Sequence, residues 1–204
     1  MTIATYDDLK SEVASFLARS DLTDKIPTFI QLAEDSFNRR LKLPAMEKLS
    51  RVSTTAGDRF VTLPGDYREA RRLVVTTDPV TLPELTTIEG IYSSRPSSAS
   101  GKPAFFAIHG IQIVLAPIPD TAYGLDFYYY ANLPALSEDN PTNWMLINAP
   151  LAYLSGALTE AFSYTRNEVE AAKHKGRFEE ILDQLGAEAA MAHFSGGTAQ
   201  ARVT

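Results

Sequence analysis

The chain has no cysteine at all and little histidine or tryptophan. Without cysteine it can form neither a disulfide framework nor a thiolate metal site, which fits a protein that does not depend on an oxidising compartment. The three histidines, His109, His174 and His193, are far apart in the sequence and form no HExxH-type pair. The sequence therefore predicts no metal site.

Long apolar runs are missing too. No stretch approaches the roughly 20 consecutive apolar residues that a membrane-spanning helix needs. The first nine residues carry Asp7 and Asp8 and no apolar segment, so we expect neither a signal peptide nor a membrane anchor there. These features favour a protein made in the cytoplasm that does not associate with membranes.

Basic residues are outnumbered, with 25 Asp and Glu against 19 Lys and Arg and a formal charge of −6 at neutral pH. Proteins that grip nucleic acid through its phosphates usually cluster Lys and Arg, so bulk nucleic-acid binding is disfavoured. The same balance is compatible with a surface past which nucleic acid slides without sticking, or with an ordinary soluble protein.

The sequence motifs of common catalytic and nucleotide-binding sites are also missing. There is no G-x-S-x-G nucleophile elbow, since Ser155-Gly156 lies in a helical pattern, and Gly101-Lys102-Pro103 is only a fragment of a phosphate-binding loop. We therefore predict no catalytic residue and no cofactor. The carboxylate pairs at three places are predicted to lie on solvated helix faces: Asp7-Asp8, Glu34-Asp35 and Glu179-Glu180.

An enzyme remains an alternative. A hydrolase would need two carboxylates in one cleft with separated pKa values. Four acidic residues in the middle of the chain are the candidates: Asp66, Glu69, Asp120 and Asp126.

Residues 1–49 show apolar residues at steps of three and four, which predicts two N-terminal helices. Thr5 and Asp8 form a capping box for the first, whose apolar stripe is Tyr6, Leu9, Val13, Phe16 and Leu17. The second helix tolerates Pro27 in its first turn. Its predicted core stripe is Ile26, Phe29, Ile30, Ala33, Phe37 and Leu41, with Glu34 among the polar residues of the far face.

Residues 50–136 change to a period of two and are rich in Thr, Val, Ile, Phe and Tyr, which predicts an inserted antiparallel β-rich unit. Hairpins are predicted around Ala56-Gly57-Asp58, Thr77-Asp78-Pro79 and Gly110. A last strand is expected at 125–131 and a short helix at 84–91. Ser93 to Gly101 is low in complexity and is predicted to be a mobile surface loop.

Residues 137–194 return to the helical period and predict two C-terminal helices. Asn143 can cap a turn carrying Trp144, Met145 and Ile147, and Pro150 is placed to open a helix with the stripe Leu151, Leu154, Leu158, Ala161 and Phe162. Ser155-Gly156-Ala157 offers a small-residue face to another helix of the same chain or of a neighbouring copy. Asn167 and Glu170 start the last helix, whose stripe is Phe178, Ile181, Leu182, Leu185 and Ala189.

The fold class that follows is α+β, a helical bundle of two N-terminal and two C-terminal helices around the inserted β-rich unit. Residues 195–204 have nothing to bury and are predicted to be a flexible tail.

The predicted last strand carries four consecutive aromatic residues, Phe127 to Tyr130. Alternation places Phe127 and Tyr129 on one face and Tyr128 and Tyr130 on the other. We expect one pair in the core and the other at a protein contact, where Tyr is enriched. The alternative is a binding module that uses residues 125–131 as a platform for carbohydrate.

The order of features from about Thr5 to Leu185 resembles the head-to-tail adaptor, or connector, proteins of tailed bacteriophages. The resemblance rests on short turn and packing motifs in a fixed order. These are Tyr6-Asp7-Asp8-Leu9, the helical stretch Ile26-Pro27-Thr28-Phe29-Ile30-Gln31-Leu32-Ala33-Glu34, Leu63-Pro64-Gly65-Asp66-Tyr67, Gly101-Lys102-Pro103, Ile108-His109-Gly110, Ala116-Pro117-Ile118-Pro119-Asp120, Tyr129-Tyr130-Ala131, Leu136-Ser137, Asn143-Trp144 and Tyr153-Leu154.

The resemblance implies a structural virion protein, not an enzyme. It would be made in the host cytoplasm and would lie at the head–tail interface as a ring, commonly of twelve copies, beneath the portal. The ring would extend the DNA channel and dock the tail. Its partners would be further copies of the chain, the portal protein and a tail or nozzle protein, with double-stranded DNA passing during ejection without specific binding. The alternative function, within the same setting, is a tail-associated module that binds carbohydrate or another ligand through the aromatic strand 125–131.

We select as candidate assembly contacts the residues whose rings, caps or small side chains suit a protein interface. They are Tyr128, Tyr130, Asn143, Trp144, Ser155, Gly156 and Phe194.

Overall fold

The computed structural model describes residues 3–93 and 99–194. The chain divides into two compact units. One, the helical unit, is made of Met1–Ala45 and Leu133–Thr204, and the other, the β unit, is Met46–Asn132. With about 47% of the chain in helices, 23% in strands and mainly antiparallel sheets, the structure confirms the predicted α+β class.

The helical unit begins with α1 (Tyr6–Leu17), a short 3-10 helix (Ser20–Lys25) and α2 (Ile26–Arg40). The predicted capping box is confirmed, because the Thr5 hydroxyl accepts a hydrogen bond from the backbone N–H of Asp8 and the Asp8 carboxylate accepts one from Thr5 N–H. Phe16 was predicted to be in the core and is instead half exposed, since it lies at the edge of the stripe formed by the other four apolar residues.

Every apolar residue predicted for the stripe of α2 is buried. The prediction that Glu34 lies on the polar far face is wrong, because its side chain is only 5% exposed. Glu34 follows Ile30 by four residues and precedes Phe37 by three, so the helical period places it on the buried stripe whatever its polarity.

The C-terminal part of the unit holds α4 (Trp144–Asn148), α5 (Pro150–Tyr164) and α6 (Glu168–Phe194). Asn143 caps α4 and Pro150 opens α5, both as predicted. Asn167 Oδ1 accepts a hydrogen bond from Glu170 N–H at the start of α6. Arg166, with φ of 58°, lies in the left-handed region and separates α5 from α6, so the two helices are not continuous.

Two apolar residues predicted to be buried here are exposed, Ile147 on α4 and Leu151 at the first turn of α5. The face of α5 that enters the core includes the predicted Leu154, Leu158 and Ala161 but is wider than predicted, because Ala152 and Tyr153 are buried as well. The reason is the composition of α5. Its central residues are almost all apolar or small, so the period alone does not fix which side is covered.

Among its described residues, 46–93 and 99–132, the β unit contains seven strands and one short helix. They are β1 (Glu47–Ser53), β2 (Phe60–Thr62), β3 (Tyr67–Val75), β4 (Glu84–Leu85), α3 (Ile88–Ser93), β5 (Phe105–His109), β6 (Gln112–Ala116) and β7 (Gly124–Ala131). The strands form a three-stranded sheet in the order β1-β7-β3 and a four-stranded sheet in the order β2-β6-β5-β4. Both sheets contribute side chains to one apolar core, which includes Leu73, Phe106, Leu115 and Phe127.

Of the three predicted hairpins, one is confirmed, one is present only as a single antiparallel bridge and one is wrong. Phe105 to Ala116 fold into an antiparallel pair whose loop is Gly110-Ile111, with φ of 58° at Gly110. The prediction of a hairpin around Ala56-Gly57-Asp58 is wrong, because β1 pairs with β7 and β2 with β6, in different sheets. Around Thr77-Asp78-Pro79 the chain makes only a single bridge between Val75 and Thr81.

The helix predicted for 84–91 is wrong in its first half. Glu84 and Leu85 pair with Phe105 and Phe106 as a short parallel strand, and the helix begins only at Ile88. Of the predicted surface loop, residues 94–98 lie outside the described residues, as does the predicted tail 195–204.

Candidate assembly surfaces

Among the described residues, no group of three or more His, Asp or Glu side chains could hold a metal ion, and no helix is both long enough and apolar enough to span a bilayer. Several of the carboxylates considered for a hydrolase form hydrogen bonds or ion pairs with neighbouring side chains. Asp66 accepts hydrogen bonds from Lys48 Nζ at 2.5 Å and from the Tyr129 hydroxyl at 2.8 Å. The pairing with Lys48 lowers the pKa of Asp66, which is the opposite of what a general acid needs.

Two of the other hydrolase candidates, Asp120 and Asp126, also have polar partners. Asp120 accepts a hydrogen bond from the Tyr123 hydroxyl at 2.6 Å, and Asp126 lies 3.5 Å from Arg51 Nε. Glu69, the fourth candidate, is opposite Tyr130 in the register of β3 and β7. Of the four candidates, Asp66 and Asp126 are thus paired with a basic residue, which leaves no pair of carboxylates with separated pKa values evident among these contacts.

The aromatic strand β7 presents one exposed ring and not a row of rings. Phe127 and Tyr129 stack on each other in the core, with centroids 5.5 Å apart, as the alternation predicted. On the other face Tyr128 is 36% exposed, but Tyr130 is only 8% exposed and its hydroxyl lies 3.4 Å from Glu47 Oε1. A carbohydrate platform needs rings side by side, so the described residues offer this alternative little support.

Asn143 lies at the centre of a buried hydrogen-bond network in the helical unit. Its Oδ1 accepts from Leu146 N–H, and its Nδ2 donates to the carbonyl of Pro134 at 2.8 Å and to the Tyr153 hydroxyl at 2.5 Å. Tyr153 in turn donates to Glu34 Oε1 at 2.9 Å, and the same oxygen accepts from Leu136 N–H at 2.8 Å. The network ties α2, the 133–143 segment and α5 together.

Burial raises the pKa of Glu34, and the two hydrogen bonds that it accepts only partly oppose that effect. The pKa of Tyr153 is raised as well, first by burial and then by the nearby Glu34 carboxylate. The polarity of Glu34 predicted an exposed side chain, whereas its position in the helical period places it in the core. The stripe Ile30, Phe37 and Leu41, with Glu34 inside it, was the signal that could have found it.

The predicted small-residue face is used within the chain. Ser155 and Gly156 are buried, and a Cβ placed on Gly156 would be 2.7 Å from Ala33 Cβ on α2 and 3.0 Å from the Phe178 ring on α6. The glycine therefore lets α2 and α6 approach α5 closely. Of the remaining candidates, Trp144 is half-buried and Phe194 ends α6, but the side chain of Phe194 lies outside what the structure describes.

Trp144 lines a groove of about 160 Å³ with residues of the second half of α6. A neighbouring groove of about 310 Å³ lies between the start of α5 and the same part of α6. We call the second one the acidic groove. Its lining residues are Asn148, Ala149, Pro150, Leu151, Ile181, Gln184, Leu185 and Glu188.

A second surface lies on the β unit, where one face of the three-stranded sheet does not enter the core between the sheets. We call it the outer sheet face. It consists of the exposed or half-buried residues that alternate away from that core, together with one arginine at a β-bulge of β3: Glu47, Leu49, Arg51, Arg71, Arg72, Val74, Asp126 and Tyr128. Arg71, Arg72, Val74 and Tyr128 line a groove of about 340 Å³ on it.

The model of a family described as SU10 adaptor protein matches residues 4–203, nearly the whole chain. No curated protein matches the chain closely enough to be counted as a relative.

Proposed function

Because the chain belongs to the SU10 adaptor protein family, a family of phage head-to-tail adaptors, we propose that it assembles into a ring beneath the portal, extends the DNA channel and docks the tail. The family makes it a structural connector located at the head–tail interface of the virion. The copy number that we propose is twelve, and the partners are the portal and a tail or nozzle protein.

The division of the chain into two units supports this proposal. The helical unit, with the glycine-mediated packing of α2, α5 and α6 and the buried Glu34 network, is suited to form the body of the ring. The β unit presents the outer sheet face and is suited to contact neighbouring copies or the tail. Of the candidate assembly contacts, we propose Tyr128 and Trp144 as interface residues, because their side chains reach the surface.

The distribution of charge supports passage of DNA without binding. Acidic and basic residues nearly balance in Met46–Asn132, and the excess of acidic residues lies in the helical unit. A channel wall that carries this excess would repel the phosphate backbone and keep the genome from adhering. A wall dominated by Lys and Arg in the assembled ring would contradict the channel proposal.

The observation that carries the proposal is the family match over residues 4–203. The test is to synthesise the chain in the cytoplasm of a host without phage and to purify it. The mass and shape of its particles are then measured for the chain alone and after mixing with portal rings. We expect ring-shaped particles of uniform mass, formed either alone or on the portal, that retain the tail protein. A chain that stays monomeric under both conditions would overturn the ring proposal.

A further inference from the structure

The outer sheet face has an apolar and aromatic centre. Leu49, Tyr128 and Arg72 are directly opposite one another in the registers of β1, β7 and β3, so their side chains form one row across the sheet. Leu49 is 39% exposed and Tyr128 is 36% exposed. Side chains of this kind are costly to leave in water, so the row suits a protein contact.

Arginines surround this centre. Arg51 and Arg71 keep 77% and 42% of their side chains exposed while paired with Asp126 and Glu47. Within residues 3–93 and 99–194, the guanidinium of Arg72 makes no hydrogen bond or ion pair, and Arg72 is exposed. The face therefore holds one uncompensated arginine beside an exposed tyrosine, and both residue types are enriched among the residues that dominate binding energy at protein interfaces.

A protein fits this face better than nucleic acid does. The carboxylates of Glu47 and Asp126 lie on it and would repel phosphates. Leu49 and Val74 would gain nothing from a phosphate backbone but would be covered by apolar side chains of a protein. The expected occupant is a surface with an apolar floor and an acidic rim.

The acidic groove of the helical unit has this composition. Pro150, Leu151, Ile181 and Leu185 form its apolar part, and Glu188 lies at its edge. The second half of α6, from Phe178 to Phe194, carries Glu179, Glu180, Asp183 and Glu188 and has no Lys or Arg. Of these, Asp183 is paired with Arg40 and Glu179 with Lys175, so the excess negative charge rests on Glu180 and Glu188.

A closed ring of identical copies needs two different, mutually complementary surfaces on each subunit. We propose that the outer sheet face of one copy docks on the acidic groove of the next copy, with Arg72 facing Glu188. This inference rests on the ring proposed above and names the two surfaces that would form it. Charge complementarity of this kind fixes register and excludes wrong partners.

The test uses two charge reversals, Arg72→Glu and Glu188→Lys, in otherwise unchanged full-length chains. Each variant alone places like charges opposite each other at every interface. We expect each to need at least about tenfold more protein for half-assembly than the unchanged chain, because like charges juxtaposed at an interface cost several kcal/mol. If ring formation requires the portal, the same comparison is made on portal rings.

The decisive experiment mixes the two variants in equal amounts. In an alternating ring, the reversed sheet face of one variant meets the reversed groove of the other, and the native face meets the native groove, so no interface opposes like charges. We therefore expect the mixture to assemble close to the unchanged protein. The matched controls carry the same charge changes at exposed positions outside both surfaces, Lys25→Glu and Asp139→Lys, and are expected to assemble normally.

The outcomes separate the inference from the proposed function. Rings that form equally well from each single variant, or variants that stay unassembled after mixing, would overturn the assignment of these two surfaces while leaving the ring in place. An unchanged chain that forms no ring, alone or on the portal, would overturn the ring and this inference with it.

Discussion

The Tyr153 hydroxyl donates a hydrogen bond to Glu34 Oε1 over 2.9 Å, in a part of the helical unit where both side chains are buried. A carboxylate in such a place is costly unless its oxygens are paired. Here the pairing joins residues that are 119 positions apart in the chain. The contact therefore acts as a long-range connection between α2 and α5, and its loss should be visible in the stability of the whole unit.

Glu34→Ala is expected to lower the free energy of unfolding by about 3 kcal/mol, because it leaves the Leu136 N–H and the Tyr153 hydroxyl without their acceptor and opens a cavity. Glu34→Gln keeps an oxygen that can accept both hydrogen bonds and should lose clearly less. Denaturant unfolding followed by the fluorescence of Trp144, the only tryptophan, reports on this unit.

Asp35→Ala is the matched control for this measurement, since it removes the adjacent but exposed carboxylate of the same helix. Its effect should stay within about 0.5 kcal/mol. Equal losses for Glu34→Ala and Asp35→Ala would show that the buried network contributes nothing.

The pH dependence of stability should carry the signature of Glu34. Its pKa in the folded protein is raised above the ordinary value of 4.5, mainly by burial, so the folded state binds this proton more tightly than the unfolded state does. The contribution of Glu34 to the free energy of unfolding must then fall as the pH rises from 4.5 through the folded-state pKa. Unfolding measured over that range for the unchanged chain and for Glu34→Gln, which cannot titrate, gives this contribution by difference. A difference that grows in the opposite direction would contradict the assigned environment.

Gly156→Ala is expected to destabilise the helical unit by about 1–3 kcal/mol, because the new Cβ would collide with Ala33 and Phe178 in a packed core. Gly176→Ala is the comparison within α6, at an exposed helical position where a Cβ meets nothing within 4 Å. That change should stabilise by about 0.5–1 kcal/mol, since alanine is the better helix former. Thermal unfolding of the two variants should shift in opposite directions, and shifts of the same sign would argue against close helix packing at Gly156.

The features that the sequence predicted correctly are mostly local. Thr5 with Asp8, Asn143 and Pro150 each define a helix start through contacts within a few residues, and all three are confirmed. Strand pairing is not local. Gly57 does mark a turn, with φ of 81°, but β1 pairs with β7, more than 70 positions along the chain, and nothing near Gly57 encodes that choice.

The same distinction holds for the candidate surfaces. Tyr128 could be placed on an exposed face by alternation alone. Arg71 and Arg72 could not, because the bulge between Ala70 and Arg72 breaks the alternation of β3 and is invisible in the sequence. Gly156 was predicted to allow a close helix approach, but whether the helix belongs to the same chain depended on the tertiary packing of Ala33 and Phe178.

His174 should affect the pH dependence of stability in the opposite direction to Glu34. Its imidazole is buried on α6, stacks on Phe162 at a centroid distance of 5.5 Å and meets the edge of Phe16. Burial lowers its pKa below the ordinary 6.5, with Lys173 and Arg177 adding to the effect and Glu170 opposing it.

As the pH falls, His174 is therefore protonated in the unfolded chain before it is protonated in the folded one. The contribution of His174 to the free energy of unfolding is lost as the pH falls from 6.5 through the folded-state pKa. His174→Phe keeps an aromatic ring in the stack but cannot titrate, so it should remove this acid-side loss. NMR titration of the imidazole protons should show a midpoint below 6.5, shifted further down in Glu170→Gln because the opposing carboxylate is gone. A midpoint above 6.5 would mean that Glu170 outweighs burial and that the stack on Phe162 tolerates a charged ring.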